Sequence, residues 1–268
     1  MDACLWLLDH GMEADRIYWI IPRDAWWMDR AKLQFTSEYF DESIGFMTDQ
    51  MEVLSEAQSV DDLCERFEAR NVSFRIDPTV KPTMSGTIGE LHARQIKTVV
   101  RGRVGSISKG EMRLDYGSVT MPADTLYIDC SARGIPQKPT VTIFEGTRIT
   151  LQWVKAVRPT FSAALIGYVA AHYQDNDRKR QLCTPMSPPR EPFDWLRMLA
   201  ISLENHKQWA GEPELQRWIV ALRLDPATSL PGLVSDDDGS AKALLVRYRQ
   251  AAQAGAANLA TLLEAARS

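Results

Sequence analysis

Apolar positions at the start of the chain recur at helical spacing. Asp2-Ala3-Cys4-Leu5-Trp6-Leu7-Leu8-Asp9-His10 reads as a helix closed by Gly11 at its C-terminal end. Arg16-Ile17-Tyr18-Trp19-Ile20-Ile21 is a short run rich in β-branched and aromatic residues, stopped by Pro22-Arg23-Asp24. Helix, glycine, short loop and buried strand make the second half of a βαβ unit. Its first strand and glycine-rich turn are expected upstream. Asp24–Arg30 reads as an aromatic loop. Ile44, Met47, Met51 and Leu54 predict a helix over 41–57. Ser59, followed by Asp62, opens a second helix with Leu63, Cys64 and Phe67 on one face. Val72–Ile76 alternates as a strand ended by Asp77-Pro78, and 88–96 reads as a short helix.

The pattern then changes. Thr98–Ile107, Glu111–Leu114 and Ser118–Met121 are short β segments separated by Lys109-Gly110 and Asp115-Tyr116-Gly117, which predicts a three-stranded antiparallel meander. An apolar strand, Thr125–Cys130, leads into Ser131-Ala132-Arg133-Gly134. Arg148–Val154 alternates as a strand, Arg158–Phe161 is a turn, and the apolar stretch Ser162–Val169 precedes a polar helix ending near residue 180. Prolines 185, 188, 189 and 192 mark a connector. Helices follow over 193–209, 213–223 and 240–266. Asp236-Asp237-Asp238-Gly239 is a solvated loop without the ligand spacing of an EF-hand. The order predicts an α/β nucleotide-binding domain whose parallel sheet is covered on one face by the meander. The expected divisions are 1–134, 135–182 and 183–268.

Composition narrows the classes. Hydrophobic residues make up 45% and charged residues 25% of the 268 positions, an ordinary globular balance. A net charge of -4 provides no basic excess for general nucleic-acid binding. No apolar run reaches the length of about 20 residues that spans a bilayer. The acidic flanks of the first helix do not fit a secretory signal. The four cysteines form no CxxC pair, which predicts a reduced cytoplasmic protein with Cys130 buried and inert. The four histidines form no HxH or HExxH pattern, so no metal site is expected.

Asp2–Leu8 followed by Arg16–Trp26 resembles part of the NAD(P)-binding domain of two-dinucleotide-fold flavoproteins. These are the flavin-containing and Baeyer–Villiger-type monooxygenases and their uncharacterised actinobacterial relatives. Asp129-Cys130-Ser131-Ala132-Arg133-Gly134 is similar to the A-T-G-like segment where such chains leave the NAD(P) domain and re-enter the FAD domain. Pro159-Thr160-Phe161-Ser162-Ala163-Ala164-Leu165-Ile166-Gly167-Tyr168 resembles the late strand and glycine that approach the flavin. The resemblance implies an incomplete Rossmann-like NAD(P)-binding domain with a β-meander, part of an FAD domain, and a mainly helical C-terminal region. It implies FAD and NAD(P) as cofactors and hydride transfer between them. Both phosphate-binding glycine loops of that architecture, including the FAD-binding G-x-G-x-x-G, are absent from this sequence.

Within that resemblance Arg23, at the C-terminal end of a parallel strand, joins Arg30 and Lys32 as candidates for the 2′-phosphate of NADP. Ser131 and Gly134 are candidates to support the cofactor through backbone amides, and Gly167 to admit the flavin ring. Arg133, in place of a smaller residue, departs from the A-T-G-like pattern. Trp26 and Trp27 are expected in packing, and His172, Tyr173 and Asp175 on a solvated helix face. No side chain is assigned a catalytic role. Two other readings stand beside the flavoprotein one: a non-catalytic partner-binding module or inactive remnant, and an NADP-binding protein without flavin. Self-association through an exposed sheet edge is expected in each.

Overall fold

In the computed structural model, which describes residues 1–79, 82, 84–131, 139–222, 224–225, 234–235 and 237–265, helices and strands are mixed along the chain. The first apolar stretch forms helix α1 (Asp2–Asp9). Gly11 takes φ +82°, a conformation that strains any residue with a side chain. Its N–H donates to Leu8 O (3.0 Å) and that of Met12 to Leu7 O (2.9 Å), closing the helix as the sequence predicts.

Four strands form two parallel pairs. They are β1 (Tyr18–Ile21), β2 (Ala25–Asp29), β3 (Met84–Gly89) and β4 (Thr98–Arg101). β1 pairs with β4, Tyr18 opposite Thr98 through Ile21 opposite Arg101. β2 pairs with β3 through an irregular register between Ala25 and Trp27. Alternation along β1 divides its side chains between two faces. Trp19 and Ile21 pack with Leu5 of α1, Phe74 and Ile96. Tyr18 and Ile20 pack, with Val100, against Met112, Leu114 and Met121. The latter belong to an antiparallel sheet of β5 (Val104–Ser108), β6 (Glu111–Leu114) and β7 (Gly117–Thr120) and its exit. The parallel pair is thus covered by α1 on one side and by the meander on the other, as parallel strands require.

The helical layer starts with α2 (Phe40–Glu56) and α3 (Val60–Ala69). Ser59 caps α3 by accepting the Asp62 N–H (3.1 Å), and the Asp62 carboxylate accepts the Gln58 N–H (2.8 Å). α4 (Pro159–His172), α5 (Asn176–Leu182), α6 (Pro192–Ala210) and α7 (Pro213–Ala221) follow, with a short hairpin of β8 (Phe144–Glu145) and β9 (Arg148–Ile149) ahead of them. The longest helix among the described residues, α8 (Gly239–Ala265), lies along α2. There the backbones approach so closely that a Cβ on Gly255 would stand 2.8 Å from Met51 O. Asn258 donates to Leu54 O (2.8 Å) and Ala57 O (2.7 Å), satisfying carbonyls at the end of α2. Leu196 of α6 and Leu259 and Leu262 of α8 share a core with Phe46, Leu54, Leu63 and Phe67. Segments 1–134 and 183–268 are therefore joined through one apolar core. A second core gathers Phe161, Leu165 and Val169 of α4 with Leu182, Trp209, Leu215 and Ile219.

Several expected elements differ. The aromatic run 25–29 is strand β2, because it finds β3 as a partner. Residues 72–76 are reduced to a bridge at Phe74, which exchanges backbone hydrogen bonds with Trp27 (2.9 and 2.8 Å). The stretch 98–107 breaks at Gly102, where φ is +144°. A Cβ there would meet Asp115 Oδ1 at 2.9 Å and Leu114 Cβ at 3.0 Å. The bend sends the first part to β1 and the second to the meander. The predicted helix over 88–96 is a short 3₁₀ segment, Leu91–Gln95. Arg148–Val154 pairs only over Arg148–Ile149. Thr125–Cys130 belongs to no helix or sheet, and Cys130 is exposed rather than buried. The segment read as a late strand, 159–168, is helical. α4 buries Phe161, Leu165, Ile166 and Val169 on one face, and its exposed face carries the small residues Ala163, Gly167 and Ala171, so no polar residue marks the helical period.

Candidate functional site

The candidate residues fall on separate elements. Arg23 is exposed just beyond the C-terminal end of β1. Arg30 is ion-paired with Asp2 (3.3 Å) and Glu90 (3.2 Å), and Lys32 donates to Asn71 O (2.7 Å). Both side chains therefore have protein partners. Ser131 is exposed, and its N–H is taken by Asp129 Oδ1 (2.8 Å). The Ser131 hydroxyl and N–H together hold the Asp129 carboxyl below its usual range. Gly134 and Arg133 lie outside the described residues. Gly167 is an exposed position within α4, with open space where a Cβ would stand. Among the described residues, no hydrogen bond or ion pair joins Arg23, Ser131 and Gly167. Trp26 is buried beneath the Arg75 guanidinium (5.1 Å to the ring), and Trp27 is half-buried, as their packing role predicts. Asp175 caps α5 by accepting the Asp177 and Arg178 N–H groups, both at 3.1 Å.

Next to Arg23 the structure builds a polar node that the sequence did not announce. Asp24 is 1% exposed. Its Oδ1 accepts the Ala25 N–H (2.7 Å) and the Trp27 indole N–H (3.0 Å), and its Oδ2 accepts the Asp77 N–H (2.7 Å). One carboxylate thus fixes the β1–β2 turn, the Trp27 ring and the exit of the Phe74 segment.

A group of buried ionisable side chains forms elsewhere, on the segment leading into α4. Asn205 of α6 is fully buried, and its amide donates to Val154 O (2.8 Å) and Thr184 O (2.9 Å). Ser162 Oγ accepts the N–H groups of Val154 (3.2 Å) and Lys155 (3.3 Å) and donates to Arg158 O (2.7 Å). Between these anchors Val157 holds φ +56°, a costly conformation for a β-branched residue. Lys155 and Arg158, on either side of Val157, both reach one carboxylate. Lys155 Nζ contacts Asp225 Oδ2, and Arg158 Nε lies 4.0 Å from Oδ1. Lys155 is 8% and Asp225 1% exposed. The ammonium also lies 5.2 Å from the centre of the Phe161 ring.

His206 of α6 and Tyr248 of α8 lie within electrostatic reach of this pair. The His206 Nε2 is buried without a hydrogen-bond partner, and its ring meets Trp209 edge-on at 4.8 Å. Burial, with the Lys155 charge adding to it and Asp225 opposing, pushes the imidazole down to about 4. Burial also lowers the Lys155 ammonium, against the pull of Asp225. It raises the Tyr248 phenol, assisted by the Asp225 charge. Arg158, with 27% of its side chain exposed, is the member that reaches solvent. The one local signal was a lone lysine in the apolar run Leu151–Val157.

The His206 shift sets a pH dependence. An unfolded chain binds a proton on this ring near pH 6.5, and the folded one only near pH 4. The contribution is therefore neutral above the upper value and becomes destabilising as pH falls towards the lower one. The expected loss is about 3 kcal/mol by pH 4. Melting temperatures across that window should fall more steeply for the unaltered chain than for His206→Gln. Parallel profiles would contradict the assignment.

Among the described residues, no group of His, Cys, Asp and Glu is arranged to hold a metal ion, and no helix is long and apolar enough to cross a membrane. Comparison with known proteins finds two proteins of Mycobacterium tuberculosis strains and one of Mycobacterium bovis, each named an uncharacterized protein. Each is 36% identical over 275 residues, covering 99% of this chain. The chain spans about half, 51%, of the length of these curated relatives. No family model matches it, and no solved structure does.

Proposed function

We propose that this chain forms the NAD(P)-domain portion of a longer NAD(P)H-dependent flavoprotein oxidoreductase of the monooxygenase type. The observation that carries the reading is the parallel pairing of β1 with β4, α1 running into β1 and Arg23 standing at the strand's C-terminal end. Ligands of open parallel sheets bind at such ends. The meander over the other face and the greater length of the mycobacterial relatives agree with it. In this reading NAD(P)H supplies the hydride and FAD accepts it. Arg23 offers an exposed cation to a nucleotide phosphate.

The other candidates do not form a cofactor cradle in this chain. Arg30 and Lys32 are engaged, the Ser131 amide is taken by Asp129, and Gly167 lies in a helix rather than at a close approach. The Lys155–Asp225 pair is too enclosed to meet a bound nucleotide. No reaction step is therefore assigned to these residues. The expected result is that FAD adds no bound flavin absorption to the chain alone, whereas the full-length M. tuberculosis relative binds both cofactors. At a concentration one hundred times Kd, a bound cofactor should stabilise that relative by about 2.7 kcal/mol, read as a thermal shift. A full-length relative that purifies without flavin and shows no shift with FAD or NADPH would sink the reading.

A second reading, a non-catalytic partner-binding module, is favoured by one observation. Leu126 and Ile128 stand exposed on a segment that pairs with no strand.

A further inference from the structure

Trp27 and Phe74 form an antiparallel bridge. That pairing sets Met28 opposite Ser73 and Trp26 opposite Arg75, so these four side chains share one face. A cavity lies over the face, closed by Leu63 and Phe67 of α3 and Trp195 of α6. Trp26 and Ser73 are 5% and 4% exposed and form its floor. Met28, Gln50 and Trp195 are half-buried and form its rim. Among the described residues, no carboxylate, ammonium or guanidinium lines it. Two polar atoms of the floor stand out. The Trp26 indole N–H and the Ser73 hydroxyl are both buried, and neither has a hydrogen-bond partner among the described residues. A buried indole ordinarily finds an acceptor, as the neighbouring Trp27 does in Asp24 (3.0 Å). The Trp26 ring is held in place by the Arg75 guanidinium 5.1 Å above it, which Glu68 anchors in turn (2.8 Å).

We propose that this cavity binds a small neutral organic molecule with an apolar body and one uncharged oxygen, a hydroxyl or a carbonyl. The oxygen accepts the Trp26 indole N–H, which can only donate, and meets the Ser73 hydroxyl, which both donates and accepts. An ion would lose its hydration without gaining a countercharge from these walls. A pure hydrocarbon would leave both polar atoms of the floor unsatisfied. Size limits the body. About 20 Å³ is open to groups the size of water, and about 400 Å³ is unfilled once the open side is counted. The smaller space suits the oxygen, and the body lies towards the open side. Met28 can yield there, because a thioether side chain is flexible and its contact with the Gln50 amide (3.5 Å) is weak. The site includes neither Arg23 nor the other cofactor candidates, and the inference does not rest on the function proposed above.

Phenol is the probe for the test, and toluene, with a methyl group in place of the hydroxyl, is its control. The indole N–H signal of Trp26 in nitrogen-resolved NMR spectra of the full chain is the readout, identified by its loss in Trp26→Phe. Phenol is expected to shift this signal saturably, with a Kd of about 1 mM. Toluene is expected to bind about tenfold more weakly, the value of one hydrogen bond. Ser73→Ala should weaken phenol binding about threefold to tenfold and leave toluene binding unchanged. If that variant does not fold, the comparison of phenol with toluene on the parent chain decides alone. No saturable shift, or toluene bound as tightly as phenol, would overturn the proposal. A Trp26 N–H in long-lived contact with solvent water and unresponsive to phenol would overturn it in favour of a buried water.

Discussion

Replacing Lys155 by methionine should cost about 3 kcal/mol of stability. The substitution keeps most of the side-chain volume and removes the ammonium. Asp225, 1% exposed, would lose its contact with the ammonium, and Arg158 Nε stands 4.0 Å away. Breaking a buried ion pair from one side leaves an uncompensated charge, and that penalty exceeds the net worth of the pair. For a chain of this size the loss should read as a melting temperature lower by about 6–12 °C. The double variant Lys155→Met/Asp225→Leu removes both charges and should recover most of the loss. Denaturation of the four chains of this cycle measures the coupling directly. If the single and double variants are equally destabilised, the pair does not hold this region together, and lost packing around Phe161 explains the effect.

The second large effect is expected at Asp24. Asp24→Ala leaves three donors without an acceptor: the Ala25 N–H, the Asp77 N–H and the Trp27 indole N–H. Each orphaned donor costs about 1–3 kcal/mol where water cannot reach it. The sum should be about 3–5 kcal/mol, discounted for the half-buried positions of Trp27 and Asp77. Asp24→Asn keeps one acceptor oxygen and should lose roughly half as much. The tryptophan emission of Asp24→Ala should also change, because Trp27 loses its hydrogen bond. Urea titrations of both variants give the comparison. Equal losses for Ala and Asn would mean that the negative charge, rather than the number of accepted bonds, sets the value of this residue.

These sites show where a single sequence stops being informative. Asp24 and Asp77 are 53 residues apart, and Lys155 and Asp225 are 70 apart. Each of these residues alone looks like an ordinary surface charge. A buried pair becomes visible only when two distant segments close on one another, and nothing in the local spacing records that closure. The same limit explains the Trp26–Trp27 region. Its aromatic residues suit either a loop or a strand, and the presence of β3 decided for the strand. Gly167 illustrates the reverse error. An apolar run ending in a glycine suggested a strand approaching a ligand, yet the run is a buried helix with the glycine on its exposed side.

By itself the sequence determined the elements whose signals are local. The 3.6-residue period and the cap residues marked α1, α2, α3, α6, α7 and α8, because a helix satisfies its backbone within its own span and its ends within a few residues. The β-rich runs marked where extended chain would occur, because branched and aromatic side chains suit that backbone. Tertiary structure alone decided which extended segments became paired strands, since a strand's hydrogen bonds are completed by a partner elsewhere in the chain. It gave β1 the partner β4, bent the chain at Gly102 and left 125–130 with no partner among the described residues. It also decided which charges were buried. Lys155 and Asp225 lie out of water because packing brought them together, and their mutual contact offsets part of the cost of that burial.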